Sequence, residues 1–204
     1  MSKKQVSQKK ILWMVETALL SAIVVVMAFT PLGYLKTAGL EISFIMIPVV
    51  VGAVVAGPAA GAILGGVFGI TSFIQCFGTS AFGAMLLSIN PVFTFIVCIP
   101  TRILAGFLAG VIAKAISKGG KKKTAATAAS LAGPLLNTLF FMSSLVLFFG
   151  RTDYITGIMT QLGANNVFMF IILFVGIQGL VEAGVCFVAG SAVSIALQKA
   201  IKRK

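Results

Sequence analysis

The chain has 204 residues, 59% hydrophobic and 10% charged, with no histidine and a formal net charge of +12, and its mean hydropathy is +1.10. Such apolarity lies outside the soluble globular range and excludes a water-soluble domain. The basic excess does not call for nucleic acid, because thirteen of the sixteen Lys and Arg gather in three clusters beside long apolar runs, as cytoplasmic membrane loops do.

Residues 1–10 form a basic N-terminus carrying Lys3, Lys4, Lys9 and Lys10. A first span is predicted from Ile11 to Phe29, stopped by Thr30-Pro31-Leu32-Gly33. It reads as a retained helix, since no small-residue cleavage site followed by a polar region succeeds it. Span two, Ile42 to Ala56, is short for a bilayer core of about 30 Å, and Gly57-Pro58 turns into span three, Ala59 to Phe77. Span four, Pro91 to Ile116, contains Pro100 and ends at the second cluster, Lys114, Lys118 and Lys121 to Lys123. Span five covers Ala125 to Phe149, a polar stretch runs from Gly150 to Asn166, and span six covers Val167 to Leu197. Residues 199–204 close the chain with Lys199, Lys202, Arg203 and Lys204.

The expected fold is therefore all-α: one six-helix transmembrane bundle over residues 11–198, with both termini cytoplasmic. Six crossings put all three basic clusters on one side and leave only Lys36 and Arg151 outside. Four spans with a re-entrant hairpin keep the same parity.

Gly57, Gly61, Gly65 and Gly69 recur every four residues, a small-residue ridge that allows close helix approach. Gly106 and Gly110 in span four repeat the theme, as do Ala18 and Ala22 in span one, with Ser21 beside them. Two charges lie deep in the apolar runs, Arg102 and Glu182, and each needs a reason in hydrocarbon. They are expected to form a buried ion pair, either a structural bridge or a direct substrate contact. Gln178 precedes Glu182 by one turn and shares its face. Polar residues collect in the outer half, among them Gln75, Asn90, Asn137 and Thr138, with Tyr34, Lys36, Glu41, Arg151, Asp153 and Tyr154 in the flanking loops. These are the donors and acceptors of an outward pocket.

No catalytic set is visible. Without histidine there is no HExxH zinc site and no Ser-His triad, and Gly119 to Thr124 lacks the spacing of a phosphate loop. Cys76, Cys98 and Cys186 form no CxxC and read as small buried hydrophobes. No cofactor or metal is expected.

The order of elements resembles the substrate-binding subunit, or S component, of bacterial energy-coupling factor (ECF) vitamin transporters. The resemblance rests on Ala18-Leu-Leu-Ser-Ala22, Ile47-Pro48-Val49 with Gly57-Pro58-x-x-Gly61-Ala62, Pro100-Thr101-Arg102 with Gly106 and Gly110, and Gly133-Pro134-Leu-Leu-Asn137-Thr138. Thr30-Pro31-Leu32-Gly33-Tyr34 and the Thr71-Ser72-Phe73 to Ser88-Ile89-Asn90-Pro91 region look most like the pantothenate branch. The family's proline–arginine pair has one residue inserted here, which rotates Arg102 by about 100° relative to the proline.

What the resemblance implies is a non-enzymatic capture subunit in the bacterial cell membrane. It would bind a vitamin from outside and dock through Ala18, Ala22 and Ser21 onto a transmembrane coupling subunit carrying two ATPases. For pantothenate, Lys36, Arg151 or Arg102 would meet the carboxylate while Asn90, Asn137 and Gln178 serve the polar middle, with Tyr34 closing over it. Pyridoxine and hydroxymethylpyrimidine are alternative substrates. A stand-alone ion-coupled transporter and a purely structural subunit are the readings from other classes.

Overall fold

The computed structural model describes residues 3–37 and 40–202. The chain folds into α1 (Lys3–Ala28), a hairpin of β1 (Tyr34–Thr37) and β2 (Leu40–Ser43), α2 (Met46–Val55), α3 (Pro58–Gln75), α4 (Ala81–Ile89), α5 (Pro91–Ser117) and α6 (Lys122–Phe149). There follow α7 (Asp153–Gln161), α8 (Val167–Val185), a π-helical turn (Cys186–Gly190) and α9 (Ser191–Lys202).

Among the described residues, five segments are long and apolar enough to cross a membrane: Lys10–Ala28, Pro58–Gln75, Pro91–Ser117, Lys122–Phe149 and Gly179–Ala200. The expected second span departs from this. Its helical part, α2, has 10 residues, about 15 Å at helical rise, because Leu40–Ser43 pairs with Tyr34–Thr37 in the hairpin, Tyr34 opposite Ser43. Seven residues of α2 are buried, as it packs against α1, α3, α5, α6 and α9. Its unbroken apolarity reflects enclosure by protein on all sides rather than contact with lipid.

Helix starts follow from local chemistry. Asn90 Oδ1 accepts from the N–H groups of Val92 and Phe93 at 3.0 and 3.1 Å, with Pro91 in the first turn of α5. Ser80 caps α4, Thr152 caps α7 and Asn166 caps α8. The short helices α4 and α7 escape a search for spans because nine residues each are too few to cross.

The glycine ridge joins α3 to α5 in antiparallel register. A Cβ at Gly61 would strike the Gly106 carbonyl, one at Gly65 the Arg102 carbonyl, and one at Gly69 would lie 2.8 Å from Ile99 Cα. A Cβ at Gly110 would lie 2.5 Å from Pro58 Cα. Gly57 does not belong to the ridge: it has φ +95° with nothing around its missing Cβ, so it serves the α2–α3 turn.

These contacts also order the bundle along its axis. Trp13 Nε1 donates to Ala56 O at 2.8 Å, Pro58 meets Gly110, and Gly190 meets Ser130. The start of α1, the α2–α3 turn, the α5–α6 turn and α9 therefore share one end, and the hairpin, α4 and α7 share the other. Two buried apolar clusters follow this division. One runs through Val24, Met46, Val50, Leu64 and Ala109, the other through Leu86, Met142, Phe149, Ile155 and Phe170.

Candidate binding cavity

A cavity of about 380 Å³ opens where the two clusters meet, lined from α3, α4, α5, α6, α8 and the hairpin. Its deep wall contains Asn137 and Glu182, its middle Arg102 with Phe68 and Phe141, and its hairpin side Tyr34, Ser43, Gln75 and Ser80. That volume and mix of aromatic walls with a few polar groups match a small-molecule site.

Backbone carbonyls one turn back on α5 receive the Arg102 guanidinium. Arg102 Nη1 turns back to Cys98 O at 2.9 Å and Val97 O at 3.3 Å, and Thr101 Oγ1 donates to Val97 O at 2.5 Å. The guanidinium lies 4.8 Å from the Phe68 ring centroid and 5.5 Å from that of Phe141, an arrangement favoured by the ring quadrupole.

The expected Arg102–Glu182 ion pair is not formed. Both residues line the cavity, but Arg102 is turned onto backbone carbonyls. Arg102 Nε and Glu182 Oε1 are both buried without a hydrogen-bond partner. Asn137 Oδ1 is in the same condition.

Tyr34 Oη donates to Gln75 Oε1 at 3.0 Å, while Gln75 Nε2 donates to Ala28 O at 2.5 Å, tying the hairpin to α3 and the end of α1. Phe82 of α4 packs on Tyr154 at 6.0 Å and Phe174 at 5.5 Å between centroids. Burial there pushes the Tyr154 phenol up from its ordinary pKa.

Of the expected binding residues, Asn137 and Tyr34 line the cavity. Asn90 does not, because its amide oxygen caps α5. Arg151 is exposed between α6 and α7 and does not line the cavity either. The side chains of Lys36 and Gln178 lie outside the described residues. Ser72, Ser80, Phe68 and Phe82 line the cavity without having been singled out; the helix-capping position of Ser80 was the available signal for placing α4. Cys76 and Cys98 are more than filler: both line the cavity, with Sγ atoms 4.0 Å apart and no disulfide.

The model of the ECF transporter substrate-specific component family matches residues 13–193. The chain belongs to this family. No match is found among curated proteins. An ECF S component is the substrate-binding subunit of a transporter, not an enzyme, and works with a module of transmembrane and ATPase subunits. In this S component Ala18 and Ala22 are exposed and Ser21 is half-buried. Only 17% of the α1 span is buried inside the protein, against 50% for α3.

Proposed function

We propose that this S component captures pantothenate from the outer side of the bacterial cell membrane and passes it to an ECF module. The observation that carries the reading is the cavity, with a cation at Arg102, acceptors at Glu182 and Asn137, and phenylalanine walls between them. Pantothenate combines a carboxylate, two hydroxyls and an amide on a compact branched skeleton, which suits that distribution.

The topology that accompanies this reading has six passages, the hairpin and α2 together making the second. Its support is the gathering of the α1 start, the α5–α6 turn and α9 at one end, since those segments carry or adjoin the three basic clusters. That end is cytoplasmic by the positive-inside rule, and the cavity then sits in the outer half. The Ala18–Ser21–Ala22 face of α1, exposed at both alanines, is the surface offered to the coupling subunit, where small side chains permit close helix approach.

The test is thermal stabilisation of the purified chain in detergent by pantothenate, pyridoxine, hydroxymethylpyrimidine, folate, thiamine, riboflavin and biotin. A ligand at one hundred times its Kd adds about 2.7 kcal/mol to the native state. Pantothenate alone should shift melting. A shift by another vitamin instead refutes the substrate, and silence across the panel refutes vitamin capture.

A further inference from the structure

The deep wall of the cavity holds two acceptors that the protein leaves without donors. Glu182 is 7% exposed and Asn137 9% exposed, and Glu182 Oε1 and Asn137 Oδ1 have no hydrogen-bond partner. Buried polar atoms are almost always satisfied, so such atoms lining a cavity point to a missing partner. The two residues lie at one depth. A Cβ at Gly179 would lie 3.9 Å from Thr138 Oγ1, and one at Gly190 would lie 3.0 Å from Ser130 Oγ. These two contacts bracket Glu182 and Asn137 on antiparallel neighbours, α8 and α6. Directly beyond Glu182 the helix widens into the π turn Cys186–Gly190, a feature frequent at functional sites.

Arg102 supplies the opposite chemistry at another depth. Its guanidinium lies against Phe141, one turn from Asn137 on α6 and so about 5.4 Å nearer the hairpin end. Its Nε–H is buried without an acceptor. With no Arg102–Glu182 ion pair among the described residues, neither charge neutralises the other by contact, and each faces the cavity with unused capacity.

We infer that Glu182 and Asn137 read hydrogen-bond donors on the captured molecule, which enters with hydroxyl or N–H groups at its deep end and an acidic or acceptor group one turn further out at Arg102. The inference rests on the cavity being the capture site. It makes Glu182 a specificity-determining residue and orients the ligand. A molecule with an anionic group at its deep end, or without donors there, is rejected because the buried carboxylate stays unpaired or meets a like charge.

The experiment uses the full chain in detergent with three probes: pantothenate, pantothenol, which lacks the carboxylate, and the N-acyl-β-alanine of the same skeleton lacking both hydroxyls. Wild type should bind the hydroxyl-free acid at least tenfold more weakly than pantothenate. Glu182→Gln should bind pantothenate and pantothenol ten- to a hundredfold more weakly, yet bind the hydroxyl-free acid as wild type does. Without ligand, Glu182→Gln should melt at or above the wild-type temperature, because an uncompensated carboxyl is removed; a structural bracing residue would melt lower.

Equal affinity of Glu182→Gln and wild type for pantothenate overturns the inference, as does equal wild-type affinity for the acid with and without hydroxyls. The second comparison needs no variant. If another vitamin of the panel is the one captured, loss of its binding in Glu182→Gln supports the inference and unchanged binding overturns it. Wild type that binds nothing overturns the capture reading itself.

Discussion

Gly65 and Gly66 are adjacent on α3, yet they should respond oppositely to one added methyl group. A Cβ at Gly65 would collide with the Arg102 carbonyl and lie 3.2 Å from Ile103 Cα, whereas at Gly66 the nearest atom is Ile103 Cγ1 at 3.6 Å. The first obstacle is backbone on a helix braced along its length, so α3 and α5 must part. The second is ordinary van der Waals contact. Overpacking of that first kind costs about 1–3 kcal/mol, and backbone against backbone belongs at the upper end. Gly66→Ala should be neutral, or gain up to ~1 kcal/mol from helix propensity. For a chain of this size, a loss of about 2–3 kcal/mol lowers Tm by about 4–12 °C. The three buried free cysteines, Cys76, Cys98 and Cys186, let a thiol-reactive fluorophore report unfolding in detergent. Because Gly65 sits against the carbonyl of Arg102, Gly65→Ala should also weaken ligand binding. If Gly65→Ala melts within a degree of wild type, or Gly66→Ala is equally damaging, the close-packed α3–α5 register is wrong.

Tyr34→Phe removes the 3.0 Å hydrogen bond to Gln75, worth about 1 kcal/mol, and should weaken pantothenate several-fold through faster dissociation, read by ligand washout; an unchanged off-rate would detach the hairpin from the site. Ala18→Leu with Ala22→Leu should leave melting and ligand binding unchanged, since both positions are exposed, while abolishing ATP-dependent uptake in vesicles containing the ECF module. Normal uptake would move the docking surface elsewhere. Saturating ligand should slow alkylation of Cys98 and Cys76, which line the cavity, but not of Cys186, which does not; mass spectrometry of timed N-ethylmaleimide reactions would show it, and equal slowing of all three would mean general rigidification.

The five helices long and apolar enough to cross a membrane among the described residues were legible because hydropathy reports the surroundings of a long helix directly. The ridge Gly61, Gly65 and Gly69 was legible for the same reason: a four-residue period maps onto one helix face. The helical part of span two is shorter than its apolar run, because apolarity does not say whether the neighbour is lipid or protein, and α2 packs against α1, α3, α5, α6 and α9. Asn90 caps α5, a role its sequence position does not distinguish from ligand binding, because a polar residue before a proline suits a helix cap as readily. Arg102 and Glu182 both line the cavity, but whether they pair depends on side-chain direction. The Val97 and Cys98 carbonyls, one turn back on α5, compete for the guanidinium, and no spacing rule weighs them against a carboxylate on another helix.

The location of the cavity follows from how this bundle closes. Toward the basic end, α3 and α5 approach backbone to backbone and α2 packs among α1, α3, α5, α6 and α9. Toward the hairpin end Phe68 and Gln75 on α3 and Phe141 on α6 line the cavity, which the hairpin and α4 bound instead of a full-length helix. The segment between α1 and α3 thus divides its work, with a ten-residue helix filling one half and a short hairpin bounding the other. A straight transmembrane helix in that place would bury more apolar area, but it would fill the space that Asn137, Glu182 and Arg102 now share. Their unpaired atoms are a standing loss of stability of about 1–3 kcal/mol each. A complementary ligand offsets that loss on entry, so free energy withheld from folding is recovered as affinity.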